Sequence, residues 1–124
     1  MFIFDLDLTV WECFNSSKNP IWAKQLIPPF TIKNYCIEDD VGSNCNLKEG
    51  FFDFINHLYN KKHKIGFCSV GAYSGLEEFD QPSIKLLKIF KIYHMFNGPK
   101  ILEYKTFNKY DYLKTISEKT YFFD

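Results

Sequence analysis

Apolar residues fall in short runs along this chain, each closed by charged or turn-forming residues. Phe2-Ile3-Phe4 runs into Asp5, Lys64 to Ser69 carries Ile65, Phe67 and Cys68, Lys100 to Tyr104 carries Ile101 and Leu102, and Thr120 to Asp124 carries Tyr121-Phe122-Phe123. Runs of this length with no helical period read as buried strands. Between them the period changes. Phe51, Phe54 or Ile55, and Leu58 share a face, widened by Phe52 and Tyr59, which predicts a helix over 47–60. Asn46 is its expected N-cap, with Glu49 completing a capping box. Ile84, Leu87 and the Ile89-Phe90 pair predict a second helix over 82–92, announced by Asp80 and Pro82. Tyr110, Leu113 and Ile116 predict a third over 109–117, capped by Asn108. Strands alternating with helices imply an α/β domain with a parallel sheet and right-handed crossovers.

One stretch resists this pattern. Between Trp11 and Asn46 no period is sustained, and Asn15 to Pro20 and Pro28-Pro29 are breakers. Residues 12–46 are therefore expected to be a loop or flap insertion over the carboxyl end of the first strand. Glu38-Asp39-Asp40 within it reads as solvated loop, because Gly42-Ser43-Asn44 follows.

Composition narrows the class. The 124 residues suit a single domain, 1–124, and with 46% apolar and 19% aromatic residues they are not a disordered chain. Fifteen Lys plus Arg balance fifteen Asp plus Glu, so no basic excess points to nucleic acid or a membrane surface. No apolar run approaches the ~20 residues of a bilayer span, and the first residues lack the basic flank of a signal peptide. Cys13, Cys36, Cys45 and Cys68 have no C-x-x-C spacing, so zinc is not expected. Free thiols in a reducing cytoplasm are the expectation, with a Cys36–Cys45 disulfide as the alternative.

The carboxyl ends of the strands carry the chemistry. Asp5 and Asp7, a residue apart, point the same way from the first strand, where ligands gather in a parallel sheet. Two acids so placed repel unless a cation or a shared proton compensates. Ser69 ends the second strand, with Val70-Gly71-Ala72-Tyr73-Ser74-Gly75 beyond as a possible phosphate cradle. Asp124 ends the last strand, and Lys109 opens the last helix. All four places face one edge of the sheet. The plainer reading is that Asp5 and Asp7 begin a turn, Ser69 is a turn residue, and His57 and His63 are surface residues.

The ordered set resembles the haloacid dehalogenase superfamily of phosphotransferases. Phe4-Asp5-Leu6-Asp7-Leu8-Thr9-Val10 is similar to its first motif, Ser69 to its second, Lys109 to its third and Phe122-Phe123-Asp124 to its fourth. Trp11 after the first motif is similar to the small magnesium-dependent phosphatases of that superfamily, as is Glu103 to Lys109 before the lysine. The resemblance implies a Rossmann-like three-layer sandwich without a large cap. It implies Asp5 as nucleophile, Asp7 as general acid and base, and Mg²⁺ held by Asp5, the Asp7 carbonyl and Asp124. Ser69 and Lys109 would grip the phosphoryl oxygens, with Lys105 the fallback for Lys109, and Thr9, Val70 and Trp11 would line the substrate. Trp11, Trp22 and Phe30 would select among substrates. The partner implied is a small phosphomonoester or a phosphorylated protein side chain.

The sequence departs from the family at its end. The fourth motif there usually has a second acid and is followed by a helix and strand, whereas no residue follows Asp124. A fold truncated after its fourth core strand is therefore expected, with a weakened metal site. Besides a magnesium-dependent phosphatase, the residues are compatible with a phosphate-binding or interaction protein that has lost turnover. A third possibility is a domain handling phosphorylated acyl precursors, where the D-L-D-x-T-x-W pattern also occurs.

Overall fold

A computed structural model describes residues 1–105 and 107–124. Strands β1 (Phe2–Phe4), β2 (Trp11–Phe14), β3 (Pro20–Ile21), β4 (Thr31–Lys33), β5 (Cys36–Glu38) and β6 (Asn44–Leu47) come first. Helix α1 (Phe51–Asn60), β7 (Ile65–Val70), α2 (Pro82–Ile89), β8 (Lys100–Glu103), α3 (Lys109–Leu113) and β9 (Tyr121–Phe123) follow. The order β8-β7-β1-β9 builds a four-stranded sheet, and every neighbouring pair in it is parallel. The predicted α/β class and parallel sheet are present. Successive strands are laid down outward from β1 to β7 to β8, and β9 then returns to the other side of β1. That reversal opens a crevice at the carboxyl ends of β1 and β9, where Asp5 and Asp124 stand.

Alternation along β1 divides the core. Phe4 stacks on Phe123 at 4.8 Å between ring centroids and meets the edge of Phe51 at 5.3 Å, so this side belongs to α1. Phe67 meets Phe96 edge-on at 5.4 Å, and Trp11 lies 6.3 Å from Phe90, beyond the end of α2. Gly66 is needed where β7 passes the Asn97-Gly98-Pro99 turn. A Cβ there would sit 2.4 Å from the Pro99 carbonyl oxygen, which also accepts the Phe67 amide. Gly66→Ala should destabilise the domain by about 1–3 kcal/mol, since backbone must shift within a packed core. Urea denaturation measures this; an unchanged midpoint would show that the turn yields freely.

Within the expected loop over 12–46 the structure has a second, antiparallel sheet in the order β3-β2-β6-β5-β4, joined by turns and irregular segments. Its strands are two to four residues long. Such lengths give too few alternations to register as a period, and small or polar residues fill many positions. Asp39 organises the bend after β5, accepting amides from Val41 and Ser43 on Oδ1 and from Ile27 on Oδ2.

This sheet also corrects two local expectations. Asn46 and Leu47 pair with Glu12 and Trp11 in β6, so α1 starts later, after Gly50 at φ 79°, with no side-chain cap. Cys13 lies opposite Cys45 in the β2–β6 register, and the two form a disulfide, leaving Cys36 and Cys68 free. Cys36 cannot take that place. Its neighbour Ile37 pairs with Cys45, so Cys36 faces the other side of the sheet. Among the described residues, no helix is long and apolar enough to cross a membrane.

Candidate active site

The chain leaves β1 through a tight turn that folds Trp11 back over Asp7. Val10 and Thr9 donate their amides to the Leu6 carbonyl, Leu8 donates to the Trp11 carbonyl, and Leu8 takes a left-handed φ of 70°. A leucine in that conformation is strained, which neighbouring hydrogen bonds must offset. The Trp11 indole donates to Asp7 Oδ1 at 3.0 Å, and the Ala23 amide donates to the same oxygen at 2.9 Å. Ala23 belongs to a 3-10 turn, Ala23–Gln25, that packs against α2. Asp7 is 6% exposed, and its Oδ2 has no partner among the described residues. Burial raises the Asp7 pKa above the ordinary carboxylate value, helped by the charge on Asp5 and opposed by the Ala23 and Trp11 donors and by Lys24.

Asp5 faces the open side. Its Oδ1 accepts the Leu6 amide at 2.9 Å and lies 3.0 Å from Lys109 Nζ. The same ammonium is 3.9 Å from Asp124 Oδ1. Asn108 places it, since its side chain accepts the Asp111 amide at 3.3 Å and caps α3 as predicted, although α3 ends at Leu113. Lys105, the fallback, lies over the Tyr104 ring at 5.5 Å and is exposed. A hydrogen bond to Asp5 and partial burial raise the pKa of Asp124, while Lys109 pulls it down. Two carboxylates this close, on adjacent parallel strands, need a proton or cation between them.

Lys109 is one such cation, and a divalent ion is another. Asp5, Asp124 and the Asp7 main-chain carbonyl are hard oxygen donors of the kind Mg²⁺ accepts. Among the described residues no three His, Cys, Asp or Glu side chains converge, so a set drawn from here must include main-chain or water oxygens.

The other expected residues are placed differently from one another. Ser69 lies on β7 beside β1 and is 1% exposed. Val70 lines a cavity of about 470 Å³ with Trp22, Lys24, Tyr104, Phe107, Lys109 and Asp124. Thr9 instead lines a groove of about 680 Å³ on the α1 side, with Leu8, Phe54, Phe123 and again Asp124. Phe30 lies in a third cavity, beside Pro28 and Lys85. Trp11 corrects its expected role. It is 0% exposed and holds Asp7, so it cannot touch substrate without leaving the core.

The glycine-rich segment after Ser69 is not a phosphate cradle in this conformation. The amides of Gly71 and Ala72 both donate to the Glu103 carbonyl, at 3.0 and 3.1 Å, and that of Tyr73 goes to Gln81 Oε1 at 2.8 Å. The first two donors are spent on joining β7 to β8 and the third on Gln81. Sequence reasoning missed Ala23, Lys24, Tyr104 and Phe107 at the site; the short strands β2 and β3, which deliver the first two, give no readable period. No protein-family model matches the chain, and no curated protein matches it.

Proposed function

We propose that the chain is a Mg²⁺-dependent phosphomonoesterase on a Rossmann-like three-layer fold, acting through an aspartyl-phosphate on Asp5. One observation carries the reading: Asp5, Asp124 and Lys109 converge at the crevice between β1 and β9, with Asp7 buried beside them and its pKa raised by that burial. Asp5 presents the less enclosed carboxylate, suited to attack phosphorus while the ester oxygen leaves. Lys109 compensates the charge on Asp5 and would hold a phosphoryl oxygen as the transition state forms, with the Ser69 hydroxyl as second donor. Asp7 has the raised pKa of a general acid. It would protonate the leaving alkoxide and then take a proton from the water that hydrolyses the acyl phosphate, help worth about 10²–10⁴ in rate. Asp5, Asp124 and the Asp7 carbonyl would hold Mg²⁺, which supplies neutralising charge to the acids and the phosphoryl group. The substrate is a small phosphomonoester or a phosphorylated protein side chain.

A second reading, a phosphate-binding protein without turnover, is favoured by the inward aim of both Asp7 oxygens. Release of phosphate from 4-nitrophenyl phosphate, with Mg²⁺ and with chelator, separates the two. Metal-dependent release supports the enzyme; phosphate binding without release supports the alternative. Inhibition by inorganic phosphate tests the lysine: Lys109→Ala should raise the inhibition constant about tenfold or more, and Lys105→Ala about twofold or less. The reverse order would move the role to Lys105.

A further inference from the structure

The cavity lined by Lys109 and Asp124 is also lined by Trp22 and Tyr104, which are 50% and 48% exposed, together with Phe107. Lys24 lines the same cavity. Among the described residues Lys24 has no ion pair, whereas Lys109 is matched by Asp5 and Asp124. Its ammonium lies 5.8 Å from the centre of the Tyr73 ring. Lys24 is half-buried, and its charge acts on Asp7 without an ion pair between them. Lys24 also lines the neighbouring cavity, with Tyr73, Asp80 and Lys85.

Lys24 is also fixed relative to the reacting end. The preceding amide, Ala23, donates to Asp7 Oδ1, and Trp22 donates its amide to Gln25 Oε1 at 2.8 Å, closing the 3-10 turn. Trp22 and Lys24 are thus held in register with a buried carboxylate of the site. A cavity of about 470 Å³ lies within the range of small-ligand pockets, and aromatic walls with a few placed polar groups suit a flat ring.

We infer that this cavity selects phosphate esters whose leaving group carries a ring and, beyond it, a second anionic group held by Lys24. The inference deepens the phosphomonoesterase reading and rests on its placing of the phosphoryl group at Lys109 and Asp124. Charge and shape fit a carboxylate or a second phosphoryl group alike.

Binding without turnover tests the inference separately from that reading. Phenylphosphonate, 4-phosphonobenzoate and 1,4-phenylenediphosphonate are titrated calorimetrically in the presence of Mg²⁺. One or both doubly acidic probes should bind at least about tenfold more tightly than phenylphosphonate, and the preferred one identifies the second anion. Lys24→Gln should reduce the preference to about twofold, and Lys24→Arg should keep most of it. Circular dichroism confirms that both variants are folded. Equal binding of all three probes, no binding of any, or a preference unchanged in Lys24→Gln would overturn the subsite. Hydrolysis of phenyl phosphate, run in parallel, addresses the other reading. Its absence beside a Lys24-dependent preference would sink the esterase and leave the subsite standing.

Discussion

Asp5→Asn should release phosphate at least about 10³-fold more slowly than the parent chain, while its fold and phosphate affinity persist. The size follows from the role: removing a nucleophile costs far more than removing a group that assists it. Persistence of the fold follows from the contacts. An asparagine oxygen still accepts the Leu6 amide, and Lys109 keeps Asp124 within 3.9 Å. One carboxylate fewer in the crevice also relieves Asp124, whose raised pKa comes first from its hydrogen bond to Asp5. Phosphate binding should therefore hold or tighten. Comparable turnover from a folded, pure Asp5→Asn protein would remove Asp5 as nucleophile. Lost turnover together with lost secondary structure would mean that the pair with Lys109 supports the fold.

Asp7→Asn should raise stability and lower the rate to an extent similar to Asp5→Asn. At neutral pH the parent must bury either a charge or a proton on Asp7, with Oδ2 unpartnered. The other buried side-chain atom without a partner among the described residues is Ser83 Oγ. Both face one spot, since a Cβ on Gly71 would lie 3.5 Å from Asp7 Oδ2 and 3.4 Å from Ser83 Oγ. An asparagine keeps Oδ1 for the Trp11 and Ala23 donors and cannot ionise. Burying a charge costs more than burying a neutral amide, so at neutral pH the variant should gain about 1–3 kcal/mol and melt several degrees higher.

The pH dependence identifies the cause. A folded-state pKa above the unfolded value near 3.8 means that the native chain holds the proton more tightly. Between those two values stability falls as pH rises, and above the folded value the loss is complete. Asp7→Asn should erase that part of the slope, gaining little on the parent near pH 3 and most at neutral pH. Denaturant midpoints from pH 3 to 8 would show it. Curves for parent and variant that stay parallel over this range would mean that Asp7 is not held protonated by burial. Turnover should fall about 10²–10⁴-fold in the same protein.

The two halves of the molecule differed in how readable they were. Phe2-Ile3-Phe4 and Ile65 to Val70 are continuous apolar runs because both faces of a central parallel strand are covered, so they stand out with no partner known. The acids at their ends stood out for the same reason. In the antiparallel sheet, Trp11, Cys13, Ile37, Cys45 and Leu47 are the buried members of strands whose other positions are polar or part-exposed. Three or four residues with one or two buried do not form a pattern until the partner strand is known. The occupied amides after Ser69 were hidden for another reason. A glycine-rich segment can cradle an anion or bond to a neighbouring strand, and only the position of the Glu103 carbonyl decides. Trp11 was located correctly beside the motif but turned the wrong way, because spacing does not tell which side of a tight turn an indole occupies.

The shared acceptor on Asp7 has a spectroscopic consequence. Two N–H protons, one on the Ala23 main chain and one on the Trp11 indole, end on a single carboxylate oxygen. Their magnetic resonance frequencies should move together as that carboxyl loses its proton, tracing one titration curve from two segments twelve positions apart in sequence. Hydrogen exchange at the same two sites should slow as the oxygen gains charge and grips them harder. Two nuclei that respond to chemistry they take no part in would thus follow the ionisation of the buried acid in solution, without substrate, metal or mutation.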